Sequence, residues 1–299
     1  MARRIHIPLL IDLLEVDDAA TIGAIDRDPR LDRAFGKAGP LFNRMLAGRL
    51  TRIFAIDGTA FPTMRGRHDE ERRAAQAALA ARLHDAALPE LSGKHPLVAY
   101  VRGTGPREQV GPALQAVIAR QFDPAFTPQE AEAQRLWDAA IRFDAAARTA
   151  NPLLWLQQAL FGTLHADRNI LAGAVGRDPV AIHAVGIAVH NLVASLDRLR
   201  AHHDDPGRRF ALDGRAAAIA SLAAPDSVLR QAKGVADIPG GSLVPGALVR
   251  FKLAHAAGRT LDPATAFQSA SWSACPASGF VFRLLAGIWT AARRQDEEP

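Results

Sequence analysis

Ser271-Trp-Ser-Ala-Cys-Pro-Ala-Ser-Gly279 decides the reading of this chain. It holds Cys275, the single cysteine among 299 residues, and a helical-looking apolar run from Phe280 to Trp289 follows it. A lone thiol makes neither an internal disulfide nor a cysteine-rich zinc site. It is left with four roles: nucleophile, redox sensor, iron ligand, or small buried hydrophobe. A thiolate just ahead of a helix gains from that helix's N-terminal dipole and unbonded N–H groups.

Composition narrows the class. Residues of hydrophobic type make up 48% of the chain, ample for a sizeable core, and aromatics are few. Long runs rich in Ala, Leu, Arg and Glu favour a mainly helical protein. The net charge is +5, but the basic residues are spread along the chain without a Lys/Arg block and interleaved aromatics. No nucleic-acid partner is therefore expected, whereas an acidic protein partner is compatible with that charge. One cysteine fits a reducing compartment. The apolar stretch of residues 5–14 is short, is broken by Pro8 and Asp12, and lacks a small-residue cleavage site. With no stretch judged long and apolar enough to span a bilayer, the expectation is a cytoplasmic protein with no membrane partner.

Working outward, the spacing predicts a helix over 17–35 with a break at Asp28-Pro29, and helical segments over 40–55, 63–87, 108–122, 128–149 and 152–166. Asp57-Gly58 marks a turn. Asp178-Pro179 opens a further helix as N-cap and first residue, running to about Leu199. Residues 202–209 read as a polar loop. Pro239-Gly-Gly-Ser-Leu-Val-Pro-Gly246 is a turn cluster, and Ala247-Leu-Val-Arg-Phe-Lys-Leu253 alternates as a short strand. The expected architecture is one domain, 1–299, mainly α with a small β-sheet near 235–255.

The last third resembles a bacterial cytochrome P450. The order Pro225-Asp-Ser-Val-Leu-Arg230, Ile238-Pro-Gly-Gly-Ser-Leu-Val-Pro-Gly-Ala-Leu-Val249, Ala254-His-Ala-Ala-Gly-Arg-Thr-Leu-Asp-Pro263 and Cys275-Pro276 is similar to that family's order from helix K to the haem-ligating cysteine. Upstream, Asp57-Gly-Thr-Ala-Phe-Pro-Thr-Met-Arg65 resembles the approach to helix C, and Asp28-Pro-Arg-Leu-Asp32 an early family stretch. Val185-Gly-Ile-Ala-Val-His-Asn-Leu-Val-Ala-Ser195 resembles the helix crossing the distal haem face.

The resemblance implies a compressed P450-like fold and a haem-thiolate oxidoreductase acting on a small organic substrate. Haem b would be the cofactor, Cys275 the iron ligand, and Arg65 and Arg230 the cations holding its propionates. His190 and Asn191 would line the distal pocket as catalytic groups. An acidic redox partner such as a ferredoxin is compatible with the use of dioxygen, and hydrogen peroxide is the other oxidant implied. The departures are specific. The chain is about a hundred residues shorter than usual members. Arg215-Ala-Ala-Ala-Ile-Ala-Ser-Leu222 holds no Glu-x-x-Arg, Phe61 and Ser273 stand where histidines are common, and no acid–alcohol pair follows Gly186. These support an alternative: a degenerate relative without turnover, acting as a binding or accessory protein.

Other polar groups carry less. His165 with Asp167 reads as a helix-end pair, and His202-His-Asp-Asp205 as a solvated stretch. Pro239-Gly240-Gly241 lacks a following helix with a Walker lysine. Ser271 and Ser273 lack nucleophile-elbow spacing.

Overall fold

The computed structural model describes residues 2–149, 151–260 and 262–297. Its internal contacts divide the chain into two compact units: Met1–Gln76 with Ala224–Cys275, and Ala77–Ala223 with Pro276–Pro299.

The first unit is built on a five-stranded sheet of order β1-β2-β9-β6-β3. Its strands are β1 (Ala2–Ile7), β2 (Ile11–Val16), β3 (Leu31–Asp32), β6 (Val228–Ala232) and β9 (Leu248–Phe251). The short strands β4 (Ala55–Ile56) and β5 (Thr59–Ala60) form a hairpin, as do β7 (Ala236–Ile238) and β8 (Gly241–Leu243). β2 and β9 run parallel, Leu13 opposite Leu248 and Val16 opposite Phe251; the other pairs of the sheet are antiparallel. In β2, Asp12, Leu14 and Val16 are buried and alternate with half-buried neighbours, the period-two pattern of a strand with one packed face. Asp12 tolerates this position because Arg4 reaches it with two bonds of 2.9 Å. The Asn43 amide ties Leu41–Ile53, the helix packed on this sheet, to the carbonyls of Asp12 at 2.7 Å and Gly246 at 3.0 Å. The Asp57-Gly58 turn forms as expected, both residues at positive φ.

The sheet is larger than expected, because β1, β2 and β3 join it from the first 32 residues. The signals that broke the early apolar stretch have local explanations. Pro8 lies in the β1–β2 turn, and Asp12 is neutralised by Arg4.

The second unit is helical. Its core helix spans Pro179–Asp204 and contains a wide π-type turn at Ala184–Ala188. Asp178 caps it at the Val180 N–H, 2.8 Å, with Pro179 in the first turn, as the sequence predicts. Val185, Val189, Leu192, Leu196 and Leu199 are buried along one side. Helices Pro96–Val101, Val110–Ala119 and Gly214–Ser221 pack on it, and Ser278–Glu297 packs on the last of these. A wide turn frees a carbonyl, and the buried Gln115 amide bonds that of Val185 at 3.0 Å.

Two expectations are corrected here. Residues 202–209 are helical: the core helix runs to Asp204, and Asp205-Pro206 starts another helix by the cap-and-proline signal also seen at Asp178-Pro179. The core helix, 26 residues long with an 18-residue window of mean hydropathy 1.5, also meets the length and apolarity criterion for a membrane span. Half of that window is buried inside the protein, as in a core helix.

Candidate functional site

The candidate residues fall in both units, and each is described within its own. In the first, helix Pro263–Phe267 ends at Gln268, and the loop 269–275 returns so that the Cys275 N–H bonds the Phe267 carbonyl at 2.9 Å. Two side chains one turn apart, Arg72 and Gln76, hold that loop. They donate to the carbonyls of Trp272 and Ala274 and meet each other at 2.8 Å. Cys275 itself is half-buried.

Around Trp272 lies a cage of arginines. The guanidinium carbons of Arg72, Arg67, Arg230 and Arg33 stand 4.9, 5.1, 5.3 and 5.6 Å from its ring centroid. These are cation–π distances. Arg230 is fully buried and anchors the cage: Nε donates to Asp26 at 2.8 Å and Nη2 to Ser273 at 2.8 Å. Asp26 in turn accepts from the Ser271 hydroxyl. Burial presses the Arg230 pKa below its usual value, against the pull of Asp26. Arg33 is pressed down harder, by burial and then by the positive charge of Arg230; Asp26 and the Cys275 sulfur pull the other way. An arginine does not give up its proton, so these directions report first the cost of burying the two cations and, for Arg33, the repulsion of Arg230 added to it.

The cage is also short of acceptors. Trp272 Nε1, Gln268 Nε2 and Arg67 Nε are buried with no hydrogen-bond partner. Buried N–H groups without acceptors are costly and uncommon. Three around one ring, among four cations and beside a thiol, are what an anionic ligand with carboxylate oxygens would satisfy. The donor set therefore fits haem, with its two propionates and an iron that takes a thiolate.

The structure brings Arg230 into this cage, and Arg65 lies beside it, joined through Asp69, which also accepts from the Arg72 N–H. Arg65 donates to Asp69 at 2.8 Å and to Glu71 at 2.6 Å, and the Glu71 bond heads the causes that raise its pKa. Arg33, Arg67, Arg72 and Gln268 carry no sequence motif that marks them as site residues, and Trp272, though inside the quoted stretch around Cys275, carries no signal of its own. Arg33 directly follows the quoted Asp28–Asp32 stretch, and Arg67 lies two residues past Arg65.

In the second unit, His190 sits one residue beyond the start of Val189–Asp204. Its ring lies 4.9 Å from that of Trp137, and Nε2 is 3.2 Å from the Ala140 carbonyl. Burial lowers its pKa, opposed by Asp144. Gly186, one turn earlier, packs so closely that a Cβ there would stand 2.8 Å from Leu171 and 3.2 Å from Phe143. Asn191 belongs to another face. With Ala184, Ile187, Ala188 and Ala194 it forms a half-buried stripe at helical spacing, small and apolar apart from the amide.

No family model and no curated protein matches the sequence. Solved structures do. Cytochrome P450SP alpha (CYP152B1), in a mutant form, aligns over 96% of this chain and 84% of its own, with TM-score 0.56 and 14% identity. CYP154C4 from Streptomyces sp. W2061 aligns over 97% and 83%, with TM-score 0.52 and 18% identity. P450BioI, solved with acyl carrier protein ligated to hexadec-9Z-enoic acid, aligns over 98% and 87%, with TM-score 0.51 and 16% identity. The chain has a divergent, shortened cytochrome P450 fold.

Proposed function

We propose that residues 1–299 act together as one P450-like domain, a haem-thiolate oxidoreductase for a small organic substrate. The observation that carries this reading is the acceptor-poor arginine cage around Trp272, in the same unit as Cys275. Cys275 is the iron ligand. Arg230, Arg33, Arg67 and Arg72, with Trp272 and Gln268, hold the propionates of haem b. Arg65 joins them by resemblance only, since Asp69 and Glu71 hold its fork. When bound, the haem supplies an iron whose thiolate ligand favours O–O bond cleavage.

The chain's own residues set up that chemistry. Arg72 and Gln76 fix the loop that carries Cys275. On the half-buried stripe of the core helix, Asn191 offers the one amide that can orient a polar group of substrate or oxidant. His190, proposed with it as a distal group, has its ring engaged by Trp137 and Ala140, and we assign it to positioning the helix. No acid–alcohol pair stands on that helix to deliver protons. The reading therefore favours hydrogen peroxide, one oxygen entering the substrate and the other leaving as water, over dioxygen with an acidic ferredoxin-like reductant. A cytoplasmic location accords with the lone cysteine.

The test is spectroscopic. Purified protein given haem should show the ferrous–CO Soret band of thiolate ligation, and Cys275→Ala should lose it. An unchanged band in Cys275→Ala, or no haem uptake by the wild type, would overturn the assignment. The missing Glu-x-x-Arg favours a second reading, a haem-binding accessory protein without turnover. That protein would show the band yet oxidise no substrate with peroxide or with a reductant.

A further inference from the structure

At the β1–β2 turn, Leu9 is 90% exposed, and its backbone lies at φ 63°. Leucine is unfavourable there; Gly, Asn or Asp would hold the turn at lower cost. So exposed a side chain gains nothing from burial in the fold, and such an outlier points to function. Its neighbours repeat the pattern. Ile7 is 50% exposed, Leu10 46%, Leu41 47% and Met45 46%. They form one patch: the Leu41 N–H bonds the Leu9 carbonyl at 2.9 Å, the Phe42 N–H bonds that of Leu10 at 2.8 Å, and Met45 follows Leu41 by one helical turn. The platform is rigid, since Asn43 and Arg4 lock the hairpin to the helix through Asp12.

The two segments that carry the patch are basic, although Arg3, at the far end of β1, lies opposite Glu15. Residues 1–11 and 33–56 contain no Asp or Glu. Arg3, Lys37, Arg44 and Arg52 are exposed there. A protruding apolar tip on segments that carry exposed cations and no carboxylate is complementary to a layer that is anionic at its surface and apolar beneath. An acidic protein would answer the charge, but it would leave five large apolar side chains to be matched one by one. We propose that this hairpin and helix face form a peripheral contact for an anionic lipid bilayer, with Leu9 as the inserting residue. This departs from the expectation of no membrane partner: attachment from one side needs no spanning helix.

The test is co-sedimentation of the full chain with vesicles of phosphatidylcholine alone and of phosphatidylcholine with phosphatidylglycerol at three to one. Binding should favour the mixed vesicles by about tenfold or more and fall with salt, since each basic side chain near the surface is worth roughly fivefold in partition. Leu9→Asp should lower binding about tenfold, as the inserted leucine is removed, and should leave or raise the melting temperature, because Asp suits the turn. Arg44→Glu should lower binding to mixed vesicles only, and Met45→Gln is the second apolar variant. Equal binding to both vesicle types, or wild-type binding by both Leu9→Asp and Met45→Gln, would overturn the proposal. So would a wild-type dimer that Leu9→Asp dissolves, which would give the face to a second copy. The assay reads protein in the pellet and is independent of haem, so its failure leaves the haem-thiolate reading standing.

Discussion

Trp272 and Trp137 sit in the two units and are surrounded in opposite ways. Trp272 is ringed by four guanidinium groups, and its Nε1 meets no acceptor. Trp137 is clamped by matter: a Cβ on Gly111 would lie 2.0 Å from its Cε2, and the His190 ring stands 4.9 Å away. One environment is closed sterically. The other is electrostatically unfinished. Incompleteness of the second kind marks a ligand site, because packing alone gains nothing from surplus buried donors. Completeness of the first kind marks structure, even where a histidine takes part.

The contrast can be broken from beneath the cage. Arg230→Ala strands Asp26 in the interior and should cost about 3–5 kcal/mol in urea unfolding. Arg230→Met combined with Asp26→Leu should recover much of that loss, since a well-packed apolar pair can replace a buried ion pair. A double variant as unstable as Arg230→Ala would mean that the network with Ser271 and Ser273 matters more than the charge pair.

The steric centre gives the next effect. Gly111→Ala should cost about 1–3 kcal/mol as Trp137 is pushed from its slot. If Gly111→Ala is neutral, the slot is looser than the geometry implies and His190 has room for another role.

Arg33→Met sharpens the electrostatic side through opposite signs. Removing a cation that its neighbours repel should leave haem-free stability unchanged or raise it by up to about 1 kcal/mol. Haem retention, read by transfer to apomyoglobin, should fall by about tenfold, because the variant has no guanidinium fork to bind a carboxylate there. Arg65→Ala should lower retention less than Arg33→Met does, because Asp69 and Glu71 already engage its fork.

The smallest effect is a slope. Burial holds the His190 pKa below 6.5. As pH falls, the unfolded chain takes up this proton first. The stability tied to neutral His190 is therefore present above about pH 6.5 and lost as pH falls through the folded-state value. His190→Gln should flatten that part of a melting-temperature profile, and an unchanged slope would mean that His190 does not titrate as a buried group.

The sequence made the two ends of this problem legible in different degrees. Cap signals such as Asp178-Pro179 are local, and they predict helix starts because one side chain bonds an N–H two residues on. The same signal at Asp205-Pro206 is masked by the charged stretch around it. β1 and β2 are hidden for another reason: their order depends on a partner strand more than 230 residues away, through Leu13 opposite Leu248. In the site, Cys275 and Arg230 stand out because they belong to short ordered motifs. The cage is a three-dimensional fact. Arg33, Arg67 and Arg72 come from three separate local contexts, and only the fold turns their charges toward one indole.

The wide turn at Ala184–Ala188 makes chain length locally adjustable. In an ordinary helix, deleting one residue rotates everything beyond it by about 100° and takes its packed face away from its partners. A wide turn already holds one residue more than the straight helix needs. Losing that residue would close it to a regular turn and leave both flanking halves in phase, Ile182 on one side and Leu192 and Leu196 on the other still facing inward. The carbonyl that Gln115 now bonds would return to the helix ladder. This stretch is the point along the core helix where evolution or an experimenter can shorten the chain without scrambling what lies to either side.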